Sequence, residues 1–221
     1  MKRIIIINPN ATVSMTTAMV AVARQAAPDL DFVGWTSHGG PASIQGAEDG
    51  VVAKPHLLDL VREAVEEGAD GIMIGCFDDT GLAEAARLAD CPVIGIGQAA
   101  FHFAAIRQWR FSVVTTLQVS VPIIEANINA TGFGTHLGRV RASDAAVLEL
   151  ESDPQASTAK IVTQAGMAAR DDEIDAIILG CAGMVQVTQA VRGEVDLHVI
   201  DPVVCAARCF CWLAQGPKGA D

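Results

Sequence analysis

Two cysteines close near-identical runs, Gly71-Ile72-Met73-Ile74-Gly75-Cys76 and Ala176-Ile177-Ile178-Leu179-Gly180-Cys181, at an offset of 105 residues. Val93-Ile94-Gly95 matches Val199-Ile200-Asp201 at an offset of 106. A thiol can take or give a proton near neutral pH. Two thiols at equivalent points of a duplicated unit would face each other across a pseudo-twofold axis. A planar carbanion held between them could lose its proton at one face and regain it at the other. Carboxylates suit this task less well, because an unperturbed pKa of about 4 makes them weak bases.

Proton removal from a carbon beside a carbonyl leaves an enolate-like oxygen. Backbone N–H groups next to each cysteine, those of Phe77, Asp78, Ala182 and Gly183, are candidates to bind it. No metal or other cofactor is required by this chemistry, and the sequence contains no recognisable site for one. Each cysteine is expected just before a helix. The field of a helix N-terminus favours thiolate and would lower the cysteine pKa from about 8.5.

The elements that must position these groups alternate. Apolar, β-rich runs at 4–7, 31–35, 71–74, 93–96, 111–114, 138–141, 176–179 and 197–200 predict strands. Most are apolar throughout, as strands covered on both faces are. Helical segments are predicted near 14–27, 51–67, 82–89, 99–108, 120–129, 154–170, 185–191 and 202–213. Alternating strand and helix implies an α/β fold with parallel sheets and right-handed crossovers. The expected architecture is two pseudo-symmetric, four-stranded, Rossmann-like lobes with the active site in the cleft between them. The first lobe would comprise residues 1–97 closed by 206–221, and the second residues 98–205. Each cysteine would then sit at the carboxyl edge of a sheet, where α/β folds bind ligands.

Composition narrows the partners. The chain has 221 residues, a formal net charge of −11, 5% aromatics and no Tyr. A negative field repels nucleic acid and anionic membranes, and few aromatics leave few platforms for stacking bases. The apolar run after Met1-Lys2-Arg3 stops at Asn8-Pro9-Asn10, short of the ~7–15 residues of a secretory signal core. No stretch reaches the ~18 apolar residues of a membrane helix. The expectation is a soluble, cytoplasmic protein acting on a small molecule. A reducing compartment also argues against pairing the six cysteines as disulfides.

Five motifs in order carry a family resemblance. They are Ile7-Asn8-Pro9-Asn10 with Ser14-Met15-Thr16, the loop Gly40-Pro41-Ala42-Ser43-Ile44-Gln45-Gly46, and Cys76-Phe77-Asp78-Asp79 with Gly81-Leu82. Arg110-Phe111-Ser112-Val113-Val114-Thr115-Thr116 and Leu179-Gly180-Cys181-Ala182-Gly183-Met184 complete the set. Together they resemble the aspartate/glutamate racemase superfamily, most closely its hydantoin racemase branch. The resemblance implies cofactor-independent racemisation of 5-substituted hydantoins or the related ureide allantoin, by homo-oligomers of four or six chains. It implies Cys76 and Cys181 as catalytic residues and Asn8, Ser43, Phe77, Asp78, Thr115, Thr116, Gly180, Ala182 and Gly183 as substrate contacts. Amino-acid racemases of the superfamily carry Asn-Thr after the first cysteine and Thr after the second. Here Phe77-Asp78 and Ala182-Gly183 stand there, and the motif loops contain no Arg or Lys for a carboxylate. Thr80 departs from the branch, which commonly has Pro at that place.

Simpler readings account for most other candidates. Cys91, Cys205, Cys209 and Cys211 read as packing residues. Gly95-Ile-Gly97-Gln-Ala-Ala100 fits a loose dinucleotide fingerprint but lacks the acidic residue expected ~20 positions on. Asp78 and Asp79 could simply cap the helix beginning near Gly81, and Asn8, Asn10 and Ser43 could be turn residues. The five histidines form no pattern. Competing functions are an amino-acid racemase, a decarboxylase, a cis–trans isomerase of the maleate type, and a two-lobed small-molecule sensor without chemistry.

Overall fold

The computed structural model describes residues 1–214. The first sheet contains β1 (Lys2–Asn8), β2 (Leu30–Thr36), β3 (Gly71–Ile74) and β4 (Val93–Gly95) in the order β2-β1-β3-β4. The second contains β5 (Phe111–Thr115), β6 (Leu137–Ala142), β7 (Ala176–Leu179) and β8 (His198–Ile200) in the order β6-β5-β7-β8. Every pairing is parallel. The two sheets therefore repeat one topology. β1 and β5 are the central strands, and β3 and β7, which precede the cysteines, lie beside them.

The helices are α1 (Val13–Ala26), α2 (Ala47–Glu66), α3 (Leu82–Leu88), α4 (Ile96–Ile106), α5 (Val121–Ala130), α6 (Glu149–Ser152), α7 (Pro154–Asp171), α8 (Thr188–Glu194) and α9 (Pro202–Leu213). Strand alternation explains how they are held. Ile4 and Ile6 of β1 enter a central core, while Ile5 and Ile7 enter an outer core with Leu57, Val61 and Ala85 from α2 and α3. In β7, Ala176 and Ile178 face the central core, and Ile177 and Leu179 face a second outer core with residues of α7 and α8. The four isoleucines of β1 are fully buried, each contributing about 1.5–3 kcal/mol relative to exposure. The central core is shared by both sheets, and α1, α4, α5 and α9 supply its helical walls.

α9 returns from the second sheet to pack against α1, α4 and β3. Its Phe210 is fully buried and lies over Gly71, where a Cβ would stand 2.6 Å from the ring. Of the segment 206–221 expected to close the first lobe, 215–221 lie outside the described residues. Several segments differ from the sequence reading: α4 starts at Ile96 rather than 99 and takes the last residue expected in β4, and α6 was not expected. α2 starts at Ala47 rather than 51, with Pro55 inside it. The helix expected at 185–191 is a 3-10 turn, Ala182–Gln186, followed by α8. No helix among the described residues is long and apolar enough to cross a membrane.

Candidate active site

The carboxyl ends of β1, β3, β5 and β7 converge on one cavity. Cys76 stands two residues beyond β3, and Cys181 two beyond β7. Equivalent bonds hold both approaches: Gly75 N–H donates to the Ile7 carbonyl at 2.8 Å, and Gly180 N–H to the Val114 carbonyl at 2.8 Å. Both cysteines are free and half-buried, and both line the cavity. The first lobe also contributes Asn10, Met15, Ile44, Gly75, Phe77 and Asp78, and the second Thr115, Thr116, Ser120, Val147, Gly180, Ala182 and Gly183. Asp78 is the one charged residue in this wall.

The turn after Cys76 is built from its own residues. Asp79 adopts a left-handed backbone at φ 49°, a conformation Asp tolerates better than most side chains. Its carboxylate accepts from Gly97 N–H at 3.1 Å and Gln98 N–H at 2.7 Å. The Asp79 side chain therefore caps α4, and not the helix near Gly81 that one sequence reading offered. Gly95 and Gly97 make this possible, since a side chain at either would collide with the Asp79 carboxyl. The glycines of the loose dinucleotide motif thus make room for the turn after Cys76. Asn127 of α5 donates to the Asp78 carbonyl at 2.7 Å and ties the turn to the second lobe.

The expected helix field at the thiols is replaced by local donors. Cys76 is separated from α3 by residues 77–81, and Cys181 opens only the short 3-10 turn. Burial raises the Cys76 thiol well above its ordinary range, and the Asp78 charge adds to this. The Asp78 N–H and the Thr80 hydroxyl act in the opposite sense. Burial likewise pushes Cys181 up to about 11, opposed by the N–H groups of Gly183 and Met184. The predicted lowering is thus reversed, because desolvation of the thiolate outweighs the hydrogen bonds. Asp78 influences both sulfurs, and Cys181 influences Cys76, so these groups share one electrostatic neighbourhood. Burial raises Asp78 to about 7 and Asp79 to about 8.

Nine of the eleven residues expected at the site line the cavity, and Asn8 and Ser43 do not. Asn8 is fully buried behind the wall, where its amide donates to the Asn10 side chain at 3.0 Å, the Thr12 carbonyl at 3.1 Å and Thr16 at 3.0 Å. Asn10 takes the cavity position. Ser43 is buried next to the lining residue Ile44. The Phe77 ring packs edge-on against Phe101 at 5.5 Å, in the central core. The Thr115 hydroxyl is occupied by the Gly180 carbonyl at 3.0 Å. Sequence reasoning did not single out Met15 and Ile44, although both lie within quoted motifs, and it missed Ser120 and Val147, which carry no motif signal.

The cavity is narrow, about 30 Å³, and partly open to solvent. Its cover crosses the lobes: Val147 N–H donates to the Gln45 side chain at 2.9 Å, and Ser14 donates to Glu151 at 2.8 Å. A second cavity of about 710 Å³ lies elsewhere, between α4 and α9, lined by residues such as Ile94, Trp109, Leu197 and Trp212. Three of its lining residues, Phe103, Ile106 and Trp212, are exposed. No group of three or more His, Cys, Asp or Glu among the described residues is placed to hold a metal ion.

A family model described as Asp/Glu/Hydantoin racemase matches residues 4–210. A hydantoin racemase from Rhizobium meliloti is 39% identical over 218 residues, covering 97% of this chain and 88% of its own. An allantoin racemase structure from Klebsiella pneumoniae superposes with a TM-score of 0.92 at 36% identity, covering 97% of this chain and 88% of the other. An allantoin racemase structure from Pseudomonas fluorescens gives 0.89 at 32% identity, covering 99% and 98%.

Proposed function

Because the chain belongs to the Asp/Glu/hydantoin racemase family, we propose that it racemises 5-substituted hydantoins or allantoin by a two-base mechanism needing no cofactor. The observation that carries this reading is a single cavity with a cysteine from each lobe in its wall and no Lys or Arg among its lining residues. A carboxylate substrate would lack a cationic partner there. A hydantoin ring offers N–H donors and C=O acceptors with little charge, which the amide, hydroxyl and backbone groups of this wall can meet.

The steps follow from the arrangement. One cysteine, as thiolate, removes the C5 proton. The C–H bonding pair moves into the ring as an enolate, and the new charge rests on the C4 oxygen. N–H groups at Phe77, Asp78, Ala182 and Gly183 are the candidate donors to that oxygen. The facing cysteine, as thiol, then gives its proton to the opposite side of C5. The products are the mirror-image hydantoin and an enzyme with the two sulfur states exchanged. The reverse reaction uses the same groups in exchanged roles. Asp78, Thr115, Thr116 and Gly180 contact the ring in this reading, while Asn8 and Ser43 act from behind the wall through Asn10 and Ile44.

The reading includes three further expectations. The chain divides into lobes 1–97 plus 206–221 and 98–205, it assembles as four or six copies, and it works in the cytoplasm. The exposed apolar residues Phe103, Ile106 and Trp212 support assembly, because extended apolar surface marks interaction sites. Six free thiols suit a reducing compartment. Polarimetry on optically pure 5-substituted hydantoins, allantoin and free amino acids tests the substrate class. Decay of rotation with a ureide ring and none with amino acids is the expected result. Decay only with amino acids overturns it.

A further inference from the structure

The two cysteines are not equivalent, and the difference lies four residues after each. The Thr80 hydroxyl points back at the Cys76 sulfur at 3.7 Å, its only hydrogen-bond acceptor among the described residues. Thr80 is buried, so this contact is sheltered from water. Two features hold it in place. Asp79 takes its left-handed backbone, and the Asp79 carboxylate is clamped on Gly97 and Gln98. In the second lobe the position equivalent to Thr80 is Val185, and that equivalent to Asp78 is Gly183. Cys181 has backbone donors alone.

We infer that Thr80 is a positioning residue whose hydroxyl selectively supports the thiolate form of Cys76 and leaves Cys181 untouched. A hydroxyl can donate to an anionic sulfur and gains more from it than from a neutral one. The titratable groups facing Cys76 are Asp78 from its own turn and Cys181 from the other lobe. Thr80 offsets the repulsion from Asp78 on the one side of the cavity where that repulsion arises locally. The catalytic consequence rests on the racemase reading, while the effect on the thiol does not.

The test is site-resolved alkylation of the full chain by iodoacetamide across pH, with each cysteine peptide followed by mass spectrometry. Thr80→Val keeps the shape and removes the hydroxyl, Thr80→Ser keeps the hydroxyl, and Thr80→Ala replaces the valine variant if that one does not fold. In Thr80→Val, Cys76 is expected to react about three- to tenfold more slowly below its midpoint, a rise of about half to one pH unit. Cys181 stays within about twofold, and Thr80→Ser follows the parent. The rising limb of racemisation against pH moves up by the same interval in Thr80→Val. Unchanged Cys76 reactivity in Thr80→Val, equal slowing of both thiols, or slowing in Thr80→Ser overturns the assignment. A parent that alkylates as described yet racemises neither hydantoins nor allantoin leaves Thr80's role standing and removes the proposed substrate reading.

Discussion

At the scale of single residues, the proposed chemistry rests on the pair of sulfurs and their environment. Cys76→Ser and Cys181→Ser are each expected to lower racemisation at least about a thousandfold, since a hydroxyl is a far weaker acid and base near neutral pH. In D₂O each variant keeps exchange of one enantiomer's proton, the opposite one in each case. NMR of the recovered hydantoin reads this, and two variants that racemise like the parent would end the two-base account. The pH dependence has a definite sign. Both thiols are pushed up, Cys181 to about 11, so near neutrality nearly every site holds two thiols and no base. Raising pH creates the thiolate, and kcat/KM should climb about tenfold per unit until the first thiol titrates. An initial-rate series showing a flat or falling profile from neutrality upward would contradict it.

At the scale of elements, the catalytic turn and α4 form one unit joined by Asp79. Asp79→Ala uncaps two N–H groups and is expected to lose about 1–2 kcal/mol in denaturant unfolding, with activity falling alongside. The carboxyls of Asp78 and Asp79, raised to about 7 and about 8 by burial, hold protons in the folded chain that the unfolded chain has released. Their contribution to stability is therefore largest below the unfolded value and declines as pH rises through those two values. Asp79→Asn should flatten this slope, as melting curves at pH values on either side would show. β3 and β7 were legible to the residue because each is a fully buried apolar run ending in Gly-Cys. The link from Asp79 to α4 was not, since it joins residues 18 and 19 positions apart through space. The start of α2 was hidden because Ala47-Glu48-Asp49-Gly50 shows no apolar period, and the 3-10 turn after Cys181 looks like any helix start in sequence. Of the two asparagines after β1, pattern alone could not say which enters the cavity. Both are engaged by the loop, Asn10 accepting from Asn8 and Thr12, but only Asn10 reaches the cavity wall.

At the scale of the whole molecule, duplication was the strongest signal in the chain, and the observed sheets repeat it strand for strand. What duplication does not reveal is how tightly the halves close. A cavity of about 30 Å³ cannot admit a substituted ring, given that clefts for drug-sized ligands span about 300–1,000 Å³. Substrate entry is expected to part the cover. Gln45→Ala removes the acceptor that joins Gln45 to Val147 across the lobes. It should raise KM several-fold with a smaller change in kcat, and the reverse pattern in steady-state kinetics would show that this contact is not part of closure. The unequal walls have a last consequence. Enantiomers have identical free energies in solution, so their interconversion has an equilibrium constant of unity, and kcat/KM must be the same from either hand. Rotation relates the lobes whereas reflection relates the substrates, and a wall with Asp78 and Thr80 on one side and Gly183 and Val185 on the other grips the two hands unequally. The site should thus saturate earlier with one hand and turn it over more slowly by the same factor.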